Sequence, residues 1–450
     1  MSRAEVPDME VGILKAERIR FTLKGTFRAG KQELVLSGNA EAELDQGNIV
    51  IRHPGGRIQV EDPLVLQPDD PEKGRFVLRG VVIGIGFHWE QEEDQEFQGA
   101  LKLMRAGGEI QGINVIPVED YLVSVISSEM RGDSSPSLLK AHTIISRSWL
   151  LAQIEKQDQL AGSGEHYEPE IRSENEYIRW YDREDHEHFH VCADDHCQRY
   201  QGTTRAYNPE VARAVRETAG EVLTYGERIC DARFSKCCGG VVEEFQYCWE
   251  PVPHPYLKRV EDRPEGTAGH WGDLKLESSA DAFIRASPDA FCNTSDAALL
   301  RQVLNDYDQR SGDFFRWEVR YGQQELASLI REKSGIDFGR ILDLVPVQRG
   351  ESGRLVRLKI VGSLRTLVVG KELEIRRWLS PSHLYSSAFV VEKEEVEEGI
   401  PGSFLLRGAG WGHGVGLCQI GAAVMASKGY SHTEILHHYF IDATIEKRYE

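Results

Sequence analysis

The chain has 450 residues, 40% of them hydrophobic and 28% charged, which is enough to bury a sizeable core in two or three domains without staples. Its formal charge of −19 excludes nucleic acid as a partner, because a phosphate-tracking surface needs an excess of Lys and Arg, and argues equally against docking on an anionic membrane. The start, MSRAEVPDMEVGIL, has no apolar run or small-residue cleavage site, no stretch is apolar enough to span a bilayer, and eight cysteines are too few for a disulfide scaffold; neither a signal peptide nor a membrane span is expected.

Residues 10–115 alternate apolar and polar side chains in IRFTLKGTF, QELVLSG, GNIVIRH and RFVLRGVVIGIGF, with Gly, Asp and Pro between them, and predict a β-rich N-terminal domain over 1–105. The period then changes. Pro117, Glu119 and Asp120 make an acidic helix start, after which Leu122, Val125, Ile126, Glu129 and Met130 share one helical face. RGDSSP breaks that helix, and a second follows over about Pro136–Ile154, with Ser135 as N-cap and Pro136 first. Residues 155–190, polar and rich in Glu, Asp and His, predict a loop, and short strands return over 191–260 around ERICDARFSKCCGGVV. Residues 271–340 predict a helical insertion whose clearest helices are SDAALLRQVLNDYDQ and QQELASLIREKSG. Strands resume at RLVRLKIVG and TLVVG, and the chain closes on the glycine-rich LRGAGWGHGVGLCQIGA and two helices, the last opening with a capping box from Ser431 to Glu434. The fold class is α+β: an N-terminal β domain, then a domain built from 106–270 and 341–450 and interrupted by the helical insertion.

Four features carry chemistry. Glu129 falls on the apolar face of its helix, where burial would hold its proton to higher pH and suit it to general acid work; the competing reading is a helix-end ion pair with Arg131 or Arg147. Arg147 lies on an apolar stripe between Ile144 and Leu151 and needs a carboxylate or a substrate oxygen as partner, unless its head snorkels to water. Cys192 and Cys197, in HEHFHVCADDHCQ, have a spacing and a set of nearby histidines that suit tetrahedral zinc; the rivals are a short-loop disulfide and two free thiols. Adjacent Cys237 and Cys238 are expected to pack as small hydrophobes. GWGHGVG fits neither a dinucleotide nor a phosphate loop, and its alternating glycines imply a backbone approached closely by something, with Trp411 and His413 projecting from it.

Taken together these segments resemble the SpoIID/LytB family (stage II sporulation protein D, amidase enhancer). VIPVEDYLVSVISSEM is similar to the family's VP-LEDYL-x-GVV-x-SEM, LLKAHTIISRSW to its ALKAQAVAARTY, and VCADDHCQRYQG to its VCD-x-x-HCQ-x-Y-x-G. AVRETAGEVLTYGERICDARFSKCCGG, VPHPYLKRV and GWGHGVGLCQIGAAVMASKGYSHTEILHHYF continue the match in family order. The resemblance covers about 113–262 and 405–445, while 1–105 and 270–400 carry little of it.

It implies a lytic transglycosylase of the cell envelope or periplasm that cleaves the bond between N-acetylmuramic acid and N-acetylglucosamine, on peptidoglycan glycan strands stripped of their peptides, with a 1,6-anhydro product. It implies Glu129 as catalytic acid and base and Arg147 as a catalytic-site residue. It also implies a chiefly structural zinc on Cys192, Cys197 and an upstream histidine, His186 being the first choice. Ser235, Lys236, Trp411, His413 and Gln419 are the substrate-binding residues expected on this frame. Two departures touch that subsite: KCCGG stands where many members read SSSGG, leaving Ser235 as the nearest hydroxyl, and GVGLCQIGA puts Cys418 and Ile420 where many have Ser and Tyr. Two other functions remain open, a non-catalytic glycan-binding activator of an N-acetylmuramoyl-L-alanine amidase and a hydrolase centred on zinc in the Cys/His cluster.

Overall fold

Period-two alternation through the first hundred residues becomes one large sheet in the computed structural model, which describes residues 6–30, 34–84, 90–163, 169–180, 186–194, 197–204, 208–264, 271–303 and 314–450. Its strands run in the order Val191–Cys192, Asp8–Ala16, Glu109–Pro117, Ala100–Ala106, Leu64–Pro68, Arg18–Ala29, Leu34–Asp45, Asn48–His53, Gly56–Val60, and Arg75–Ile83 joins Arg18–Ala29 to Gln91–Phe97. The boundary expected near 105 falls at the Gly107–Gly108 turn of a hairpin, whose second strand, Glu109–Pro117, pairs with Asp8–Ala16 from Asp8↔Pro117 to Ala16↔Ile110. The first part of the expected second domain is therefore continuous with the N-terminal sheet.

The α+β fold divides into two compact units, one made of Met1–Gln159, Glu184–Val222 and Glu446–Glu450, the other of Leu160–Arg183 and Leu223–Ile445. In the first unit, α1 (Val118–Glu129) leaves the strand Glu109–Pro117 directly and buries Tyr121, Leu122, Val125 and Ile126, as its 3.6-residue stripe requires. A file of aromatic rings joins this helix to the sheet: Tyr121 stacks on Tyr200 at 5.0 Å, Tyr200 on Phe97 at 5.9 Å, Phe97 on Phe76 at 5.3 Å, and Phe76 meets Phe27 edge-on at 6.5 Å. α2 (Pro136–Ser163) starts as expected, with Leu139 N–H donating to the Ser135 carbonyl. It runs nine residues past the expected end at Ile154, because EKQDQLAGS is made mostly of good helix formers with no apolar stripe to announce them. α3 (Pro209–Glu217) is capped by Asn208, whose side chain accepts from Glu210 N–H at 2.8 Å.

The second unit holds a five-stranded sheet in the order Glu170–Arg172, Glu176–Arg179, Thr366–Gly370, Leu355–Gly362, Ile341–Arg349, so part of the loop expected over 155–190 is strand. A three-stranded sheet runs Arg316–Gly322, Ser403–Ala409, Phe389–Glu394. The first of these strands corrects the reading of 271–340 as purely helical. Helices Glu277–Arg285, Ala297–Val303 and Gln323–Ser334 are present, but RWEVRYG alternates Trp317, Val319 and Tyr321 and pairs along its length with Ser403–Ala409. Trp317, Leu326, Ile330, Leu358, Trp378 and Phe404 belong to the core between these layers. The last helix, His432–Tyr439, opens with the expected capping box, Ser431 and Glu434 exchanging side-chain to backbone bonds. Among the described residues no helix is long and apolar enough to cross a membrane.

Candidate active site and metal centre

The two ends of α1 treat their carboxylates differently. At the first turn, Glu119 takes a two-pronged bond from Arg147 of α2, Nε to Oε1 at 2.9 Å and Nη2 to Oε2 at 2.7 Å. Oε1 also accepts from the Tyr449 hydroxyl at 2.6 Å and from Gly220 N–H at 3.3 Å, while Arg147 Nη1 donates to the Glu221 carbonyl at 3.0 Å. Of the partners foreseen for Arg147 the structure supplies the carboxylate. With 0% of its side chain exposed, Arg147 does not snorkel, and its fork faces Glu119 rather than open solvent. Burial pushes the Tyr449 hydroxyl far above its usual range, so it stays a proton donor to Glu119.

Glu129 is the last residue of the same helix and is only half-buried, and Met130, which follows it, is already extended. The burial expected of it on that face is therefore only partial. Neither ion pair weighed for it forms: Arg131 lies 3.4 Å from Asp133, and Arg147 belongs to Glu119. Among the described residues no hydrogen bond or ion pair engages the Glu129 carboxylate.

The structure brings His186, Cys192 and Cys197 together, their donor atoms all within 4.8 Å of one another and His186 Nε2 3.3 Å from Cys197 Sγ. Both thiols are free, so the short-loop disulfide is not formed. Cys192 is fixed because Val191–Cys192 pairs in parallel with Val11 and Gly12 at the sheet edge. His190, also in the motif, is committed elsewhere, its Nδ1 accepting from Glu10 N–H at 3.0 Å; His196 lies outside the described residues. One imidazole and two thiols converging on a partly exposed point suit a borderline-soft divalent ion. The segment after Cys197 docks on the helices of the unit. Gln198 accepts from the Tyr121 hydroxyl of α1 at 3.4 Å and donates to the Ser146 carbonyl of α2 at 3.3 Å, and Gln201 N–H donates to Ser124 of α1 at 3.2 Å.

The five expected substrate-binding residues lie in the second unit. Phe234–Ser235 pairs in parallel with Leu417–Cys418, and the glycine-rich segment between Trp411 and Leu417 folds against it. The close approach that the glycines implied is from the protein itself. A Cβ on Gly416, at φ +72°, would sit 2.0 Å from the Arg233 carbonyl, and one on Gly414, at φ +77°, 2.3 Å from the Arg354 guanidinium carbon. Trp411 is stacked on Phe314 at 4.7 Å and meets Tyr385 at 4.9 Å. Lys236 Nζ donates to the Val303 carbonyl at 2.8 Å, and Gln419 is 1% exposed. Among the described residues the Ser235 hydroxyl is buried without a partner. His413 Nδ1 accepts from Val415 N–H at 3.0 Å, and burial, with Arg233 and Arg354 nearby, pushes the imidazole well below its usual range, so it is neutral.

Sequence reasoning missed Glu243, a fully buried carboxyl that accepts from the N–H groups of Glu244 and Glu351 at 2.9 Å and from the Ser352 hydroxyl at 2.6 Å. Burial pushes it up to about 7 against those bonds and the Arg354 charge. A raised folded value means that its share of stability is complete below its ordinary range, near pH 4.5, and is lost as pH rises through about 7. The full difference is about 3 kcal/mol. We expect the thermal midpoint to fall between about pH 5 and pH 7.5 and Glu243→Gln to flatten that slope; parallel pH profiles for the two proteins would refute it.

Residues 106–225 match the family described as Stage II sporulation protein, and residues 243–416 match a Domain of unknown function (DUF8618). An uncharacterized protein of Brachyspira hyodysenteriae is 24% identical over 347 residues, 77% of this chain and 71% of the relative. Stage II sporulation protein D of Bacillus amyloliquefaciens is 22% identical over 72% of this chain and 73% of its own length. The Amidase enhancer of Bacillus subtilis is 23% identical over 53% of this chain, which spans 33% of that relative. The Stage II sporulation protein match begins at Ala106 and ends at Tyr225, so it takes in α1, Arg147, the His186–Cys192–Cys197 triad and the docked segment after it. Over residues 106–225 the chain is similar to the SpoIID family, and relatives bearing the names Stage II sporulation protein D and Amidase enhancer support that likeness.

Proposed function

We propose that the chain is a lytic transglycosylase acting on peptide-stripped glycan strands of the bacterial cell wall, with Glu129 as its single acid and base. The observation that carries this reading is the Glu129 carboxylate, half-accessible and, among the described residues, without a partner, at the end of a helix whose first acid, Glu119, is fully engaged. A hydrolase generally needs two carboxylates across the sugar. A transglycosylase needs one: Glu129 donates its proton to the glycosidic oxygen as the bond to C1 breaks. The same carboxylate then takes the proton of the muramic acid 6-hydroxyl as that oxygen bonds C1 and closes the 1,6-anhydro ring.

His186, Cys192 and Cys197 would hold a zinc whose contribution is structural, tying the sheet edge at Cys192 to the segment that packs on α1 and α2. Elemental analysis is expected to find zinc that Cys192→Ser removes, with faster hydrogen exchange over residues 186–201 in the variant; equal exchange with and without the metal would sink the structural role. The activity itself is tested by mass spectrometry of products from purified peptide-free glycan. We expect 1,6-anhydro ends; reducible muramic acid ends would exclude the reaction. The similarity to the Amidase enhancer supports a second reading, activation of a cell-wall amidase without cleavage, which predicts no glycan products but faster amidase turnover.

A further inference from the structure

A second donor cluster lies in the other unit. Cys238 Sγ, Cys292 Sγ, Cys418 Sγ and one carboxylate oxygen of Asp262 lie within 4.8 Å of one another, and all four residues are buried. We propose that these residues are a closed, structural site for one divalent ion of zinc's class. The sequence expectation that Cys237 and Cys238 pack as small hydrophobes does not account for this arrangement, because a wholly buried carboxylate is costly among apolar neighbours unless paired. Its bonds are a hydroxyl from Tyr439 at 2.7 Å on Oδ1 and the Cys292 N–H at 2.9 Å on Oδ2, and the nearest cationic candidate, His438 Nε2, stands 3.7 Å away. Each oxygen retains a lone pair for a metal.

The spacing suits a single ion. Four ligands at about 2.3 Å in a tetrahedron have edges of about 3.8 Å. Cys238 Sγ and Cys292 Sγ are 3.6 Å apart, and the remaining donors need to close by about an ångström or less. A polynuclear iron–sulfur centre would spread its cysteines wider, because several metal atoms lie between them. The surroundings are those of a thiolate site. Cys238 N–H donates to Cys418 Sγ at 3.2 Å, and Tyr439 and the Cys292 N–H orient Asp262 as outer partners orient metal-binding carboxylates.

Charge fits as well. Three thiolates, one carboxylate and a divalent ion leave a net −2, which calls for a nearby cation. The Arg316 guanidinium donates to the carbonyls of Gly239, Phe283, Ala286 and Phe315, and among the described residues no carboxylate pairs with it. Gly239 directly follows Cys238. One cysteine from each of the two departing segments, Cys238 of KCCGG and Cys418 of GVGLCQIGA, meets the other at this point; the third thiol, Cys292, comes from a part of the chain that the resemblance did not cover. An ion there would link segments 54 and 126 residues apart and hold the strand pair Phe234–Ser235 and Leu417–Cys418 together from one end.

Native mass spectrometry and elemental analysis of the intact reduced chain, expressed with zinc and passed through a weak chelator, test the site. We expect two ions per chain, one of them retained by Cys192→Ser/Cys197→Ser and lost when Asp262→Asn or Cys292→Ser is added. Cobalt loading of Cys192→Ser/Cys197→Ser should give the intense visible bands of a tetrahedral thiolate site. A folded Cys192→Ser/Cys197→Ser protein that binds neither zinc nor cobalt overturns the proposal, whether or not the Cys292 variant folds. A wild-type chain with one ion that survives Cys192→Ser/Cys197→Ser supports this site and refutes zinc at His186. One ion lost with those cysteines does the reverse.

Discussion

Glu129→Gln is expected to lower glycan cleavage by about 10²–10⁴ while the protein folds and melts as its parent does. The reasoning is local. Gln preserves the volume at the end of α1, and the carboxylate it replaces makes no bond among the described residues, so surface-type substitution costs of within about 0.5 kcal/mol apply. What Gln cannot do is release a proton to the leaving oxygen. Binding of uncleaved glycan should therefore survive, and the loss should appear in kcat and not in KM. The same helix provides a control: Glu119→Gln removes an acid that is already paired with Arg147 and should lower the melting temperature instead. A Glu129→Gln protein as active as its parent would place the acid elsewhere and give weight to the zinc-centred reading.

Much of this architecture is legible in residue order, and the parts that are not share a physical cause. The sheet strands, the stripe of α1 and the Ser431 capping box depend on neighbours within a few positions, where period and capping chemistry speak directly. RWEVRYG carried the same kind of signal, a clean alternation overlooked between two helical segments. The tail of α2 carried none, since a polar helix has no stripe. Of the site residues, His186 joins Cys192 and Cys197 across a short loop, a distance over which spacing is informative. Cys238, Asp262, Cys292 and Cys418 are gathered by the fold from positions up to 180 residues apart, and no local pattern announces such a set. Glu243 reads in sequence as one of two adjacent acids; only the backbone N–H groups of Glu351 and Ser352 show why it is inside.

Arg147→Met is expected to destabilise the chain by about 3 kcal/mol, the low end of the cost of breaking a buried pair, because Glu119 keeps 18% exposure and so recovers some hydration. Arg147→Lys should recover only part of the loss. An ammonium can reach one oxygen, whereas the guanidinium bonds Oε1, Oε2 and the Glu221 carbonyl together. Removing both charges in Arg147→Met/Glu119→Leu should cost less than the sum of the single variants by about 1–3 kcal/mol, since no orphaned charge remains. The Tyr449 hydroxyl loses its acceptor when Glu119 becomes Leu, so Tyr449→Phe should be nearly neutral in that background and destabilising in the parent. These measurements decide what the residue does. The resemblance gave Arg147 a place in the catalytic site, and the geometry gives it Glu119, which anchors the start of the helix that ends in Glu129. If it positions α1, the Lys variant keeps a near-normal kcat per folded molecule and loses stability. A Lys variant with an unchanged melting temperature and a collapsed kcat would instead place the guanidinium on the substrate, and would require the Glu119 pair to open when glycan binds.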